Sequence, residues 1–219
     1  NIENKVAYIT GAAKGIGLGI AEALVQNGLK VAISGRDIEA LEKAQYKLGK
    51  ENVLVLQSDV RIFNDELKAV EQIVSKFGKL DIVIANAGVG KFASIDEISL
   101  EDWNSMIDTN LTGAFHTLKA TVAQHKENKG YYISIASLAG ANFFAKGAAY
   151  NASKCGLVGF TQAAMLDLRD FDVKCTTIMP GSVTSNFNGH TPSEDDKCKI
   201  QPSDLGQMIV DLLNMYPNV

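Results

Sequence analysis

Apolar residues in this chain are grouped in short continuous runs that are separated by longer amphipathic segments. The runs predict strands buried on both faces, because most of them lack the alternation of a strand with one wet face. They are Val6–Thr10, Val31–Ser34, Val53–Leu56, Ile82–Ala85, Tyr131–Ile135 and Val173–Met179. Between the runs, apolar residues three or four positions apart predict helices, for example over Ile16–Asn27 and Phe63–Phe77.

The order of these elements alternates between strand and helix along the chain. Repeated right-handed βαβ connections give a parallel sheet with helices on both faces, the doubly wound (Rossmann) α/β fold. We find no repeat or linker, and so expect a single domain over residues 1–219. Ligands of this fold bind beyond the carboxyl ends of the strands. The irregular interval Ser182–Gln201 predicts a mobile surface flap that covers substrate.

The composition narrows the classes of partner. Hydrophobic residues make up 46% and charged residues 21%, as in ordinary globular proteins, and the net charge is -4. This charge provides no general attraction to nucleic acid or to anionic membranes. The chain shows no apolar stretch of bilayer length and no leader pattern before its first strand, so we expect a cytoplasmic protein. The three cysteines and three histidines lack metal-binding spacing, and no metal is expected.

A glycine-rich segment, Thr10–Gly17, lies where the first strand turns into the first helix. Glycines at this point let backbone amides approach a pyrophosphate at the positive end of a helix. The candidate dinucleotide-binding residues are Gly11, Lys14, Gly15, Ile16 and Gly17. The alternative is that these glycines only permit a tight turn.

The end of the second strand bears on the choice of dinucleotide. It ends in Ser34, Gly35 and Arg36, without the carboxylate that would bind the free ribose hydroxyls of NAD. Arg36 and Lys14 would suit a 2′-phosphate, so NADP(H) is predicted. The alternative is that both are solvated surface charges.

Tyr150 and Lys154 are four positions apart, a spacing that places a phenol and an ammonium on one helix face. A nearby positive charge favours the ionised phenol, so we expect Lys154 to lower the pKa of Tyr150 and make it a proton donor. Alone, this spacing is also common on solvated helix faces.

Several motifs in order resemble the short-chain dehydrogenase/reductase family, from Val6 to about Leu213. Thr10–Gly17 matches the family's TGxxxGxG loop, and Tyr150 with Lys154 matches its YxxxK pair. Ser137 precedes Tyr150 by thirteen positions, as the family's catalytic serine does. The other matching positions are Asp59 and Val60, Asn86-Ala87-Gly88, Asn110, Pro180-Gly181, Val183 and Thr184.

The resemblance implies a role for each matched residue. Tyr150 would exchange a proton with a carbonyl or alcohol oxygen, and Ser137 would hold that oxygen. Lys154 would bind the nicotinamide ribose, and Asn110 would support a water linking the lysine to solvent. Asp59 would contact adenine and could instead cap the helix that follows it. The remaining cofactor contacts are implied at Val60, Asn86, Ala87, Gly88, Pro180, Gly181, Val183 and Thr184.

The substrate is left open among small carbonyl compounds and their alcohols. The chain resembles the NADP-dependent members that act as 3-oxoacyl-(acyl carrier protein) reductases or 3-hydroxy acid dehydrogenases. A thioester, a hydroxy acid and a pterin-like ketone all suit the predicted pocket wall, which consists of Leu138, Asn142, Phe143, Phe144, Phe187 and His190. A carrier-protein substrate would favour a basic rim, for which the candidates are Lys91, Lys126, Lys129 and Lys146.

Helices over about Leu100–Lys126 and Ala148–Arg169 resemble those that pair subunits in this family, which implies a homodimer or homotetramer. The sequence stops at Tyr216–Val219, before the last strand of similar proteins, so a C-terminal strand is expected to be missing. Two other functions stay open. One is a regulatory protein that senses NADP(H) without turnover, and the other is an epimerase or dehydratase of nucleotide sugars.

Overall fold

A six-stranded parallel sheet forms the centre of the protein, in the order β3-β2-β1-β4-β5-β6. The structure is a computed structural model and describes residues 2–185 and 187–215. The strands are β1 (Val6–Thr10), β2 (Lys30–Gly35), β3 (Val53–Gln57), β4 (Ile82–Ala85), β5 (Tyr131–Ile135) and β6 (Lys174–Ile178). This arrangement confirms the predicted doubly wound fold.

Helices cover both faces of the sheet. They are α1 (Gly15–Gln26), α2 (Ile38–Leu48), α3 (Phe63–Phe77), α4 (Leu100–Ile107), α5 (Gly113–Asn128), α6 (Ala148–Leu168) and α7 (Pro202–Asn214). One apolar core lies between the sheet and α1, α2 and α7, and a second lies between the sheet and α3, α5 and α6.

Strand β1 shows why the predicted strands have no polar face. Its side chains alternate between the two cores, with Ala7 and Ile9 in the first and Val6 and Tyr8 in the second. Both faces of the strand are therefore dry, and every position along it is buried. A continuous apolar run is the sequence signature of such a strand.

The order of the sheet reverses between β1 and β4, which are neighbours although two strands separate them along the chain. The connections after these strands leave in opposite directions and open a crevice at the carboxyl edge of the sheet, where ligands of doubly wound folds bind. The glycine loop follows β1, and Asn86 follows β4. Both predicted segments therefore line the same crevice.

Helices α1 and α7 cross in close contact. A Cβ atom at Gly19 would lie 2.6 Å from Pro202, and one at Gly206 would lie 2.6 Å from the carbonyl oxygen of Gly19. Glycine at both positions lets the two backbones touch. This contact fixes the end of the segment 182–201 against the helix that follows the glycine loop.

The chain is helical throughout the predicted stretch Leu100–Lys126. A turn of π-helix over Asp108–Thr112 joins α4 to α5 within it. The segment Ser182–Gln201 differs from the irregular flap that was predicted. It contains 3₁₀ turns at Phe187–Gly189 and Glu194–Cys198 and a parallel bridge between Val183 and Ile200, while Asn186 lies outside the described residues.

An open groove of about 600 Å³ follows β6 and α7 and holds none of the predicted functional residues.

The missing strand that the sequence suggested concerns the chain after α7, and residues 216–219 lie outside the described part. Within residues 2–185 and 187–215, no helix has both the length and the apolar character needed to cross a membrane.

Candidate active site

The glycine loop packs directly on the segment that follows β4. Gly11 has a φ of +66° and Gly15 a φ of +57°, conformations that favour glycine. A Cβ atom at Gly11 would lie 2.8 Å from the Cα atom of Ala87, and one at Gly17 would lie 2.6 Å from the amide nitrogen of the Asn86 side chain. The glycines therefore allow both a left-handed turn and a close approach between two backbones.

The N-terminus of α1 has the features of an anion-binding site. Lys14 is the N-cap residue, and its side chain makes no capping hydrogen bond. The first turn, which includes Ile16, contains no acidic residue. Free amides and the positive end of the helix dipole thus face the crevice, a combination that suits a pyrophosphate.

Asn86 holds the loop in place. Its side-chain amide donates to the carbonyl oxygens of Thr10, at 2.9 Å, and Gly11, at 3.1 Å. The hydroxyl oxygen of Thr10 in turn accepts from the backbone amides of Asn86 and Ala87, both at 3.1 Å. The Asn86-Ala87-Gly88 motif and the glycine loop therefore form one hydrogen-bonded unit.

Charged residues collect beyond β2 and β3. Lys14 and Arg36 are exposed. Arg61 binds Asp59 through two nitrogens, at 2.5 and 2.9 Å, and this hydrogen bonding lowers the pKa of the Asp59 carboxyl group. Arg36 lies close enough to lower that pKa further. The alternative role of Asp59 as a helix cap is wrong, because α3 begins four residues later with Ile62 as its N-cap.

Val60, the next predicted contact, is buried against α5. A Cβ atom at Gly113 would lie 2.6 Å from a methyl group of Val60, and the Val60 carbonyl lies 2.8 Å from Nδ1 of His116. These contacts fix the backbone at the end of β3. Val60 can therefore offer a rigid surface, but its carbonyl already has a partner.

A buried polar cluster supports this end of the sheet, and sequence reasoning missed it. Glu66 on α3 accepts from the hydroxyls of Ser58, at 2.7 Å, and Tyr8, at 3.0 Å, and Tyr8 also bonds to Ser34 at 3.0 Å. Burial raises the pKa of Glu66. The available signal was a glutamate on the same helix face as Ala69 and Ile73, both of which are buried.

The hydroxyls of Ser137 and Tyr150 meet at the carboxyl end of β5. Ser137 caps a 3₁₀ turn over Leu138–Gly140, and its oxygen accepts from the amide of Ala139 at 3.2 Å. Tyr150 lies in the first turn of α6, close enough for the Ser137 hydroxyl to favour the ionised form of its phenol. The predicted serine and tyrosine are therefore brought together.

Lys154 lies behind this pair, one helical turn further along α6. Its side chain is buried at 4% exposure, and Nζ donates to the carbonyl oxygen of Ile135 at 2.9 Å. Burial lowers the pKa of Lys154 to about 8. Nζ is 5.9 Å from the centre of the Tyr150 ring.

The expected lowering of the Tyr150 pKa is not found in this structure. Burial raises the pKa of Tyr150, and the nearby Ser137 hydroxyl opposes the rise only in part. The physical reason is that both Tyr150 and Lys154 have lost water, while the Lys154 ammonium is directed to a backbone carbonyl. A buried phenol of this kind stays protonated at neutral pH.

Asn110 is held at both ends of its amide. It lies in the π turn, where its oxygen accepts from the amide of Val89 at 2.8 Å. Its nitrogen donates to the Val89 carbonyl at 2.9 Å and to the Ser153 hydroxyl at 3.0 Å. A Cβ atom at Gly88 would lie 3.3 Å from the Asn110 oxygen and 3.6 Å from Nζ of Lys154. Asn110 thus joins the loop after β4 to α6 beside the lysine.

The residues after β6 complete the edge of the site. The carbonyl of Pro180 accepts from the amide of Leu138 at 3.0 Å, and a Cβ atom at Gly181 would lie 3.3 Å from the Leu138 side chain. Val183 forms the bridge to Ile200, and Thr184 is buried with its hydroxyl donating to a carbonyl oxygen at 3.1 Å.

Asp196 organises the segment that follows. Its buried carboxylate accepts from Lys199 at 2.5 Å and from the amide of Ser193 at 3.0 Å, and it lies 2.6 Å from Nε2 of His190. These bonds lower the pKa of Asp196. His190, a predicted pocket residue, is therefore tied to its own segment.

Aromatic rings surround Tyr150, and sequence reasoning missed one of them. The ring of Phe92 lies 5.5 Å from that of Tyr150, and Phe187 lies 5.7 Å from it. Phe144 packs on Phe92 at 5.5 Å. Phe92 carried no pattern because it lies in the irregular loop after β4. The other predicted wall residues, Leu138, Asn142 and Phe143, are exposed nearby along the chain.

The four lysines of the predicted basic rim are not brought together. Lys126 and Lys129 precede β5, at the amino edge of the sheet, whereas Lys91 and Lys146 follow strands at its carboxyl edge. The ammonium of Lys126 lies over the ring of Phe171, and that of Lys129 forms an ion pair with Asp172 at 2.8 Å. A strand of five residues separates the two edges by roughly 16 Å. The described structure therefore offers no continuous basic rim.

The histidines and cysteines are dispersed. In the described part of the chain, no group of three or more His, Cys, Asp or Glu side chains is arranged to hold a metal ion. His125 is buried with no hydrogen bond to either ring nitrogen, and burial lowers its pKa to about 4. It packs at right angles to Tyr132 and behaves as a core residue.

The sequence and the fold of this chain are similar to those of known proteins. The sequence pattern of the short chain dehydrogenase family matches residues 5–196. An uncharacterized oxidoreductase of Staphylococcus saprophyticus is 32% identical over 222 residues, which cover 100% of this chain and 94% of the relative.

Two solved structures are similar over almost the whole chain. An alcohol dehydrogenase of the archaeon Thermococcus sibiricus, complexed with 5-hydroxy-NADP, has a TM-score of 0.93 and 31% identity, covering 99% of this chain and 93% of that one. A 3-ketoacyl-(acyl-carrier-protein) reductase of Brucella melitensis, complexed with NADH, has a TM-score of 0.90 and 27% identity, with 97% and 91% covered. On this evidence the chain belongs to the short-chain dehydrogenase family of oxidoreductases.

Proposed function

We propose that this protein is an NADP(H)-dependent oxidoreductase that interconverts a carbonyl and a secondary alcohol, with Tyr150 as its general acid and base. The observation that carries the proposal is the pair of neighbouring side chains Ser137 and Tyr150, with the buried ammonium of Lys154 one turn behind. This group stands at the carboxyl edge of the sheet, beside the glycine loop.

The residues of the crevice fit a nicotinamide dinucleotide. The bare backbone at Gly11 and Gly17 and the uncapped start of α1 suit its pyrophosphate. When bound, the nicotinamide supplies or accepts the hydride. The residues proposed to hold the dinucleotide are Gly11, Lys14, Gly15, Ile16, Gly17, Arg36, Asp59, Val60, Asn86, Ala87, Gly88, Tyr150, Lys154, Pro180, Gly181, Val183 and Thr184.

Tyr150 and Ser137 act on the substrate oxygen. In reduction, Tyr150 gives its proton to the carbonyl oxygen, and in oxidation its phenolate takes the proton of the alcohol. The raised pKa of Tyr150 keeps the phenol protonated at neutral pH, which suits reduction. The Ser137 hydroxyl donates to the negative charge that develops on that oxygen, a contribution of roughly 3 kcal/mol to the transition state.

Lys154 and Asn110 serve the same proton transfer. Lys154 would bind the nicotinamide ribose and orient the cofactor for this reaction. Asn110 fixes the loop after β4 and the start of α6 through Val89 and Ser153. Beside Lys154 it supports a water that returns a proton from solvent.

The preference for NADP(H) rests on Arg36 and Lys14. Both are exposed, and neither forms an ion pair within residues 2–185 and 187–215, so both are available to a 2′-phosphate. The solved relatives do not decide the matter, because one was complexed with an NADP derivative and the other with NADH.

The assembly is proposed to be a homodimer or homotetramer formed through α5 and α6. These helices leave large apolar side chains exposed, among them Phe115, Met165 and Leu166. Exposed apolar patches of this kind mark protein interfaces. Cys155, Cys175 and Cys198 are unpaired thiols, in keeping with a reducing compartment such as the cytoplasm.

The test is a panel of ketones assayed by loss of NADPH absorbance, with NADH in parallel reactions. We expect turnover with NADPH, and a loss of at least ~100-fold with Tyr150→Phe, because a positioned general acid contributes that much or more. Tyr46→Phe is the matched control, since Tyr46 is 80% exposed on α2. Full activity of Tyr150→Phe would refute the mechanism and favour a protein that only senses NADP(H). Equal turnover with NADH would refute the cofactor preference.

A further inference from the structure

Three phenylalanines from separate parts of the chain form a cluster beside Tyr150, in which Phe92 and Phe187 pack on its ring and Phe144 packs on Phe92. Phe92 lies in the loop after β4, and its ring is nearly perpendicular to that of Tyr150, at 89°. Phe187 comes from the segment after β6, and Phe144 from the loop before α6. No local periodicity requires these rings to converge, so the tertiary fold has gathered them around the reacting group.

Gly90 makes room for one of the rings. A Cβ atom at Gly90 would overlap the ring of Phe187, so this ring rests on the backbone of the loop that carries Phe92. The segment after β6 therefore meets the loop after β4 through an aromatic contact. The contacts described for the Phe187 ring are made with apolar atoms and with the ring of Tyr150.

The rings are only partly covered. Phe92 is 42% exposed and Phe144 is 45% exposed, although each contacts another aromatic ring. Apolar side chains that stay open beside a reactive hydroxyl form a surface that a ligand can cover. Edge-to-face geometry, as between Phe92 and Phe144 at 75°, is the arrangement that aromatic rings prefer with one another.

Most charged groups of this region already have partners. Lys91, next to Phe92, is paired with Asp102 at 3.5 Å, and His190 is paired with Asp196. Lys154 donates to a backbone carbonyl. A substrate carboxylate placed among the rings would therefore lose water without gaining a partner, and burying such a charge is costly. Lys146 forms no ion pair in the described part of the chain. It is therefore the side chain to test as a partner for a substrate carboxylate.

We propose that the substrate is a neutral ketone that carries an aryl or cyclic hydrocarbon group, and not an oxo acid or a charged thioester. The ring of the substrate packs against Phe92, Phe144 and Phe187, and its carbonyl oxygen faces Tyr150. The ketone gains a hydride at carbon from reduced nicotinamide, which is thereby oxidised, and a proton at oxygen from Tyr150, which solvent reprotonates. The inference rests on the proposed function, because it names the substrate class of the same site.

The experiment compares three ketones by kcat/KM at saturating NADPH. They are phenyl methyl ketone, the small neutral butan-2-one, and the charged 3-oxobutanoate. A hydrophobic pocket separates substrates that differ by one methylene by roughly 10- to 200-fold, so the aryl ketone should exceed butan-2-one by at least ~10-fold. The kcat/KM for the aryl ketone should exceed that for 3-oxobutanoate by at least the same factor.

Variants then assign this preference to the rings. Phe92→Ala should lower kcat/KM for the aryl ketone at least ~10-fold and that for butan-2-one by less than about threefold, since only the larger substrate loses contacts. Phe92→Leu keeps an apolar side chain and should lie between wild type and Phe92→Ala. Phe171→Ala is the matched control, because Phe171 is 44% exposed beneath Lys126 at the amino edge of the sheet. Thermal unfolding of each variant shows whether it is folded.

The outcomes separate this inference from the proposed function. Turnover that favours 3-oxobutanoate, and that Lys146→Ala abolishes, would overturn the inference and leave the oxidoreductase function standing. The inference would also be overturned, with the oxidoreductase function left standing, if Phe92→Ala reduced activity on all three ketones equally or left activity on all three unchanged. Absence of NADPH oxidation with every ketone, in a folded wild-type protein, would overturn the proposed function itself.

Discussion

Replacing Lys154 with methionine should change the stability of the cofactor-free protein in a way that depends on pH. Lys154 is 4% exposed, and burial lowers its pKa from 10.5 to about 8. In the unfolded chain the ammonium regains its water and its ordinary pKa. The folded protein therefore carries a cost whenever Lys154 is protonated, and a methionine of similar length does not carry it.

The sign and size of the effect follow from the two pKa values. Between pH 8 and 10.5 the unfolded chain binds more protons than the folded one, so the Lys154 contribution to wild-type stability rises with pH in this window. Below pH 8 the cost is fully present. With about 1.4 kcal/mol for each pKa unit, the cost is about 3 kcal/mol at pH 7 and about 1 kcal/mol at pH 10. Loss of the hydrogen bond to Ile135 offsets about 1 kcal/mol of the gain at either pH.

The assay is chemical unfolding of both proteins at pH 7, 8, 9 and 10, followed by circular dichroism. We expect Lys154→Met to be more stable than wild type by about 2 kcal/mol at pH 7 and about equal to it at pH 10. Titration of all other groups cancels in this difference. Lys43→Met, at an exposed position of α2, is the control and should shift stability by less than about 0.5 kcal/mol at every pH. A difference that stays constant or widens as pH rises would refute the reasoning.

Three further predictions concern the glycine loop, the cofactor preference and the proton donor. Gly11→Ala should lower the free energy of unfolding by about 2–4 kcal/mol, because its Cβ atom would strike Ala87 and its φ is positive. Gly78→Ala, where φ is positive but the space is open, should lower it by only about 1–2 kcal/mol, and equal losses would contradict the clash at Gly11. Arg36→Ala should raise KM for NADPH about 10- to 100-fold and leave KM for NADH unchanged, as measured by initial rates; a parallel rise for both would exclude a 2′-phosphate contact. Because burial raises the pKa of Tyr150, alcohol oxidation should increase with pH above 8 while reduction stays level from pH 6 to 8, and an oxidation maximum below pH 8 would argue against Tyr150 as the base.

The strands and the ordered motifs could be predicted from the sequence because their signals are local. The apolar runs give β1, β4 and β5 with the observed bounds, and the period of α3 gives Phe63–Phe77. Other features depend on contacts between distant segments. The convergence of Phe92 with Tyr150 and the raised pKa of Tyr150 both follow from tertiary packing. Helical spacing placed Lys154 on the same face as Tyr150, but it could not reveal that a strand carbonyl would take up the ammonium.

The π turn between α4 and α5 makes the length of this segment a part of the site. An α-helix turns by about 100° for each residue, so a residue inserted in Asp108–Thr112 would rotate one flank against the other by about that angle. Removal of a single residue would let the backbone close into an unbroken α-helix and would swing Asn110 away from Val89. Homologous sequences that keep the chemistry should therefore tolerate substitutions in this stretch far better than changes in its length.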